Sequence, residues 1–517
     1  MTTSSLTVTQ FVWLMLTAFV MALLARRFKV PYALCLVMTG IAVGAARLLP
    51  HAHLSPDLLL TVFLPPLLFE SALHLHLEQL RRDWKPIAIY TLAGTMLSTL
   101  VIGLLCAWLM HLTLTIGLVF GALISTTDPI SVIAIFKRLQ AGRRLTLMLE
   151  AESLFNNDIA VVLFIVVLGA VHGTSVGLGQ SAFLFFRLVI GGMALGLGFG
   201  LLASRMHYEL DDHLIEITLT TVVAFGSYLC ADALGVSGVM ACIVAGLVVG
   251  NYGMPTTMTP GTRLAVVSFW EYGAFVAESL TFLLLGIEAS YVDWTGKLWY
   301  TLAAIPIVLV GRCGIYPLSL LVNRLGDRVP PAWQHVLVWG GLRGALSIAL
   351  VLSLAPEFPQ RDILVAATVG VVLFSLLVQG LTVGKLLTCL HLGKEQASEG
   401  RDTRRLSSEI AGSQRALDEL ERIRQYESYP DWMVENLIED YQRRIAVLKW
   451  DLDPYRPAAS VSEDLKMAEL RGIALRAEKN ALQEAARQGQ LDGDDWHHAS
   501  RRIDAELFAL TMRGDAG

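Results

Sequence analysis

The segment Ser125-Thr126-Thr127-Asp128-Pro129 places a carboxylate beside three hydroxyl groups and a proline inside a long apolar stretch. Proline removes a backbone hydrogen-bond donor, and Ser and Thr side chains compete for backbone partners, so a helix should be interrupted here. Backbone carbonyls, hydroxyls and the Asp128 carboxylate would then converge, and oxygen atoms of these kinds are the ligands that hard cations prefer. The alternative is a structural proline kink in which Asp128 caps the second half-helix.

A second interruption is predicted at Gly340-Gly341-Leu342-Arg343-Gly344-Ala345. Three glycines weaken a helix, and an arginine in an apolar segment is costly unless it is paired. The ends of half-helices carry partial charges, so Asp128 can offset positive ends and Arg343 negative ends where two broken helices meet. We therefore predict that the two interruptions cross within the membrane.

Polar side chains are also concentrated in residues 150–158. Ser153, Asn156 and Asn157 are three and four residues apart, so they share a helix face and could present oxygen atoms to the first interruption. Asp158 lies about 100° further round the helix. The alternative for Asp158 is a buried carboxyl group that is satisfied by neighbouring Ser or Asn side chains.

The chain as a whole has the composition of a polytopic membrane protein. Of its 517 residues, 54% are hydrophobic and 16% are charged, against roughly 25% charged in soluble proteins. About 13 apolar runs are long enough to cross a bilayer, so the predicted fold class is all-α. The interruptions fall in the fifth span (about 113–136) and the twelfth (about 333–355), while the polar cluster opens the sixth (about 147–171). Broken helices of opposite orientation are typical of inverted-repeat transporters.

The basic residues of the loops indicate the orientation of these spans. Odd-numbered loops contain fourteen Lys or Arg residues and even-numbered loops three. This pattern predicts a multi-pass protein of the bacterial inner-membrane type, with its N-terminus outside and its C-terminus in the cytoplasm.

Other classes of function find little support in the sequence. The net charge of −5 gives no reason to expect nucleic-acid binding. The six cysteines lie in apolar segments without metal-ligand spacing and are interpreted as packing residues. The spans contain no zinc-protease, serine-hydrolase or phosphate-loop motif, so we expect neither enzymatic activity nor a cofactor.

The composition changes abruptly near residue 392. We predict a transmembrane domain at 1–392 and a cytoplasmic helical tail at 393–517, with apolar residues at helical spacing in 410–426, 432–452 and 461–488. The tail is interpreted as a regulatory or dimer-stabilising module, or alternatively as a solvated extension.

Four segments together resemble one family. They are Pro65-Pro66-Leu67-Leu68-Phe69-Glu70, 125–129, 152–158 and 340–345, in this order. In combination they are similar to the cation/proton antiporters that include bacterial NhaP-type proteins and animal sodium/proton exchangers, over about residues 10–390. The resemblance implies a thirteen-helix inverted-repeat fold, a homodimer and an elevator-like movement of a core bundle against a dimerisation bundle.

The resemblance also implies roles for individual residues. An ion site would be built from hydroxyl, amide and carboxylate groups, namely Thr127, Asp128, Ser153 and Asn156, with Glu70 nearby. A buried ion pair between Glu152 and Arg312 would hold the core together, and Arg343 would act electrostatically in the second broken helix.

One position departs from the family pattern, because Asn157 stands where the family usually has an aspartate that binds the ion. Asp158 could replace that aspartate if the helix is locally distorted. The bound cation would then lie among Thr127, Asp128, Ser153, Asn156 and Asp158. Otherwise the site keeps one carboxylate, Asp128.

The expected function is secondary active exchange of a monovalent cation for protons, which would serve pH homeostasis. Na⁺ is the first expectation, and K⁺ and Li⁺ stay open because all three bind oxygen ligands. The expected partners are the cation, protons, the lipid bilayer and a second copy of the chain. A cation channel and a transport-degenerate sensor that acts through the tail are the alternatives. The exchange stoichiometry, its pH dependence and the role of Glu278 are left open.

Overall fold

The computed structural model describes residues 8–28, 31–47, 58–128, 130–139, 141–171, 178–206, 212–392, 398–426 and 431–451, together with 470, 472, 474–482 and 503. Regular secondary structure in these residues is helical throughout. The chain divides into two compact units, Met1–Ala397 and Ser398–Gly517.

The first unit is a bundle of helices. At two places in this bundle, two half-helices separated by a non-helical segment take the place of one continuous helix. In chain order the helices are α1 (Val8–Phe28), α2 (Tyr32–Ala45), α3 (Leu59–His74), α4 (Leu77–Arg82), α5 (Trp84–Leu109), α6 (Leu114–Ile124), α7 (Ile130–Leu139), α8 (Arg143–Val171), α9 (Leu178–Met206), α10 (His213–Ala233), α11 (Gly238–Thr256), α12 (Pro260–Tyr291), α13 (Leu298–Arg324), α14 (Pro331–Trp339), α15 (Ala345–Leu352) and α16 (Arg361–Cys389).

These helices make the chain a multi-pass membrane protein. Among the described residues, nine helices are long and apolar enough to cross a bilayer: α1, α5, α8, α9, α10, α11, α12, α13 and α16. Large apolar side chains point outward from them, such as Trp108 at 74% and Phe183 at 71% exposure, as lipid contact requires. The count of thirteen spans stays a prediction. Both predicted interruptions are present, between α6 and α7 and between α14 and α15.

The membrane helices pack as two groups. The core bundle consists of α5, α6, α7, α8, α13, α14, α15 and α16, in which α5 packs along α6 and α13, and α13 along α16. The scaffold bundle consists of α1, α2, α3, α9, α10, α11 and α12, in which α2 packs along α12, and α11 along α3 and α9.

Glycines bring helix backbones together inside each bundle. In the scaffold bundle, a Cβ on Gly40 would lie 2.2 Å from the carbonyl oxygen of Leu283. In the core bundle, a Cβ on Gly121 would lie 2.4 Å from the carbonyl oxygen of Thr99. Among the described glycines, each approach closer than 3.0 Å joins residues of the same bundle. Each bundle is therefore close-packed within itself.

The second unit contains α17 (Ser398–Tyr426) and α18 (Asp431–Asp451), which cover the first two predicted helical stretches of the tail. The two helices pack along each other, and Leu417, Val434 and Ile438 form one buried apolar cluster. Of the third stretch, 461–488, the structure describes mainly the helical residues 474–482. The predicted domain boundary at 392/393 borders residues 393–397, which lie outside the described residues.

Candidate functional site

The two interruptions meet in the centre of the core bundle. The backbone N–H of Asp128 donates a hydrogen bond to the carbonyl oxygen of Leu342 over 2.8 Å. The Arg343 guanidinium donates to the carbonyl oxygens of Ser125 at 2.8 Å and Thr126 at 3.1 Å. These carbonyls lie where α6 ends and have lost their helical partners, so the buried arginine compensates for the interruption.

Further contacts fix this crossing. The Thr126 and Ser347 hydroxyls are 2.6 Å apart, and the Arg343 backbone N–H donates to the Ser375 hydroxyl over 2.9 Å. Only a glycine fits at position 344, because a Cβ there would lie 2.6 Å from the Cβ of Asp128. Sequence and packing thus hold the Asp128 carboxylate at the point where the half-helices meet.

The polar face of α8 supports the segment that follows α6. The Ser153 hydroxyl donates to the Thr127 carbonyl oxygen at 2.7 Å and accepts from the Thr127 hydroxyl at 3.0 Å. The Asn156 amide donates to the Ser125 carbonyl oxygen at 2.9 Å and to the Thr127 hydroxyl at 3.2 Å. Its oxygen accepts from the Thr95 hydroxyl at 2.5 Å. The predicted oxygen-bearing residues are therefore brought together.

Asn157 and Asp158 point in different directions. The Asn157 amide oxygen accepts a hydrogen bond from the backbone N–H of Thr127 at 3.0 Å. Asp158 is fully buried and accepts a hydrogen bond from Ser237, the residue that caps the N-terminus of α11. Because α8 is a continuous α-helix across these positions, consecutive side chains diverge by about 100°. The local distortion that would turn Asp158 toward Asp128 is absent.

Glu152 and Arg312 form a buried ion pair between α8 and α13. Arg312 donates to both carboxylate oxygens of Glu152, each over 2.7 Å, and to the carbonyl oxygen of Leu337 over 3.1 Å. The side chains are 2% and 9% exposed. Bidentate geometry of this kind satisfies two charges that would be costly apart. The pair links α8 and α13 to the half-helix α14.

A cavity of about 740 Å³, including its open mouth, lies beside the crossing. Its polar lining comprises Ser71, Thr126, Thr127, Asp128, Glu150, Asn157, Glu278 and Thr281. The core bundle supplies one wall from the first interruption, α8 and the start of α15, and the scaffold bundle supplies the other from α3 and α12. Three lining residues are acidic and none of the described lining residues is basic, so any charge that the described lining carries is negative.

Glu70 lies next to this cavity, and its neighbour Ser71 lines it. The Glu70 side chain is 26% exposed, accepts a hydrogen bond from Ser71 at 3.4 Å, and lies 3.3 Å from the His74 ring. It is thus positioned at the edge of the cavity and not in its lining.

Two acidic lining residues, Glu150 and Glu278, are not among the site residues that the sequence predicts. Glu150 precedes Asn157 by seven residues, a spacing that places both on one face of α8, and this periodicity could have identified it. Glu278 and Thr281 come from the scaffold bundle, and no local pattern connects them with Asp128. Only the tertiary structure brings them to the site.

Comparison with known proteins agrees with this geometry. The family model described as the transmembrane region of sodium/hydrogen exchangers matches residues 15–389. The chain belongs to this family. The expectation from the four sequence segments is thereby confirmed.

Relatives that are named as Na⁺/H⁺ antiporters match most of the chain. It is 32% identical to the Na⁺/H⁺ antiporter NhaG of Bacillus atrophaeus, with 94% of each chain covered. It is 38% identical to the low-affinity Na⁺/H⁺ antiporter NhaS1 of a Synechocystis strain, over 79% of this chain and 78% of the relative. The solved sodium/proton antiporter MjNhaP1 of Methanocaldococcus jannaschii shares the fold, with a TM-score of 0.61 at 20% identity, covering 74% of this chain and 98% of that one.

Proposed function

We propose that this protein exchanges Na⁺ for protons across the membrane and binds both at the cavity beside Asp128. The observation that carries the proposal is a cavity at the crossing of two broken helices, whose described lining contains three carboxyl groups and no basic residue. Membership of the exchanger family and relatives that are named Na⁺/H⁺ antiporters support the same activity.

Exchange follows from competition for one carboxylate. A carboxylate that is removed from bulk water is stable only when a proton or a cation neutralises it. Asp128 is half-buried, lines the cavity and is held by its backbone against Leu342, so it is the residue assigned to this role. Ser153 and Asn156 hold the backbone around it from outside the lining, whereas Thr127 lines the cavity itself, so the Thr127 hydroxyl is the further candidate ligand of Na⁺.

The cavity lies between the bundles, which suggests an elevator-like movement of the core bundle against the scaffold bundle. Close backbone packing within each bundle would let each move as a rigid body. A core bundle with a neutralised Asp128 can pass the apolar layer, whereas an uncompensated charge costs several kcal/mol there. Only loaded sites would therefore cross, which couples cation movement to proton movement.

The location, oligomeric state, orientation and internal symmetry of the chain are proposed together with this mechanism. The chain would lie in the bacterial cell membrane as a homodimer, with the N-terminus outside and the C-terminus in the cytoplasm. The loop charges support the orientation. The membrane unit would follow an inverted-repeat plan, since its two interrupted helices meet at the site.

Purified protein in liposomes tests the proposal. An imposed pH gradient should drive uptake of Na⁺, and comparison with K⁺ and Li⁺ at several pH values identifies the preferred cation. Proton movement that needs the cation on the opposite side supports exchange. Cation currents without proton coupling would indicate a channel, and binding without transport would indicate a sensor; either result overturns the proposal.

A further inference from the structure

The position that usually carries a second carboxylate in this family supplies no charge in this chain. Asn157 lines the cavity, but its amide oxygen already accepts the Thr127 N–H, and its amide nitrogen is a donor that cannot bind a cation. A site with Asp128 alone would have a single charged ligand from the core bundle.

Asp158 does not fill this role either. It is 0% exposed, is not part of the cavity lining, and is held by Ser237 across the boundary between α8 and α11. The Ser237 hydroxyl also accepts from the backbone N–H of Met240, so the carboxylate is part of the cap of α11. A second carboxylate for the cation must come from another helix.

The scaffold helix α12 presents such a carboxylate. Glu278 lines the cavity, is partly exposed, and makes no hydrogen bond or ion pair to other described residues. The charges of Asp128 and Glu70 both act on Glu278, so the three carboxylates share one region. With no basic residue in the described lining, these carboxyl groups can be neutralised there only by a proton or by a cation.

Thr281 provides an independent indication. It lies three residues after Glu278, on the same face of α12, and also lines the cavity. Its side chain is 4% exposed, and its hydroxyl oxygen has no hydrogen-bond partner. Buried hydroxyls are normally paired, so an unpaired one facing a cavity indicates a missing ligand.

We propose that Glu278 and Thr281 complete the cation site, with the Glu278 carboxylate replacing the charge that Asn157 lacks and the Thr281 hydroxyl adding a neutral oxygen. This inference rests on the proposed function. Since Asp128 belongs to the core bundle and Glu278 to the scaffold bundle, a cation bound by both carboxylates connects the two bundles. The cation must leave one of these carboxylates before the bundles move apart.

Binding of ²²Na⁺ to the purified protein and pH-driven ²²Na⁺ uptake into liposomes test this inference together. Glu278→Gln keeps the shape but removes the charge, and should weaken Na⁺ binding about 10-fold or more, as expected for loss of a charged ligand. Thr281→Val should weaken binding, whereas Thr281→Ser, which keeps the hydroxyl, should restore it. Asp293→Asn removes an exposed charge outside the cavity and should leave binding unchanged.

A rescue variant makes the test specific. In Asn157→Asp/Glu278→Gln a carboxylate returns to the cavity from the core bundle and should recover part of the lost affinity. Wild-type Na⁺ binding by folded, monodisperse Glu278→Gln would overturn the inference. Wild-type protein that binds Na⁺ but does not exchange it would overturn the proposed function alone, and absence of Na⁺ binding by the wild type would overturn both.

Discussion

The ion pair between Glu152 and Arg312 should dominate the stability of the core bundle. Glu152→Gln removes one charge and one of the two 2.7 Å hydrogen bonds, because an amide has a single acceptor oxygen, while Arg312 stays buried at 9% exposure with its bond to Leu337. Removing one partner of a buried ion pair costs about 3–5 kcal/mol, because the other charge is left uncompensated.

This loss should be visible as a lower melting temperature. The melting temperature of a large domain falls by roughly 2–4 °C for each kcal/mol of unfolding free energy that is lost. Glu152→Gln should therefore lower the melting midpoint by about 6 °C or more. Heating of detergent-purified protein, followed by size-exclusion chromatography with fluorescence detection, measures the midpoint. The double variant Glu152→Gln/Arg312→Met removes both charges and should regain part of the loss.

An exposed ion pair provides the control for this experiment. On α17, the Arg422 Nη2 and Glu419 Oε1 atoms lie 2.6 Å apart, and the side chains of Glu419 and Arg422 are 56% and 67% exposed. Because exposed ion pairs add little stability, Glu419→Gln should leave the melting midpoint of the membrane unit unchanged. A Glu152→Gln midpoint within experimental error of the wild type would refute the assignment of the buried pair as a stabilising link.

Three further predictions concern the site and the tail. Asp158→Asn preserves the acceptor for Ser237 and should leave the apparent Na⁺ affinity unchanged in uptake assays, whereas a large rise in KM would make Asp158 a ligand. Gly344→Ala should lower the exchange rate by about tenfold or more, because the added Cβ displaces Asp128. Gly198→Ala has open space around its Cβ and should leave the exchange rate unchanged. Equal exchange rates for the two variants would argue against the close approach of Gly344 and Asp128. A chain that ends after residue 395 keeps every residue of the cavity and should still exchange ions in liposomes, and complete loss of uptake by a folded truncation would make the tail a required part.

Much of the fold could be predicted from local patterns. Helix α8 contains the sixth span that hydropathy predicts at about 147–171 and ends at Val171, because apolar length is a local property. The interruptions around Asp128 and Arg343 could be predicted because proline and glycine act on their own helix. The partner of Glu152 followed only from resemblance to the family, since 160 positions separate it from Arg312.

The walls of the cavity could not be predicted in the same way. The geometry of a regular helix predicts that the Asp158 side chain points away from that of Asn157. Helix α8 is regular at these positions, so the prediction from helical geometry is confirmed. The sequence leaves the role of Glu278 open because that role depends on how α12 packs against the other bundle. An isolated acidic residue in an apolar helix indicates function in general, but only the tertiary structure identifies what it faces.

Asp128 is the carboxylate that we propose takes up either a proton or a cation. The most direct test of this role is pH-driven ²²Na⁺ uptake by Asp128→Asn in liposomes, with Asp232→Asn, an exposed carboxylate on α10, as the matched control. Uptake by Asp128→Asn should fall to the level of empty liposomes while Asp232→Asn matches the wild type. Wild-type uptake by Asp128→Asn would contradict this role of Asp128.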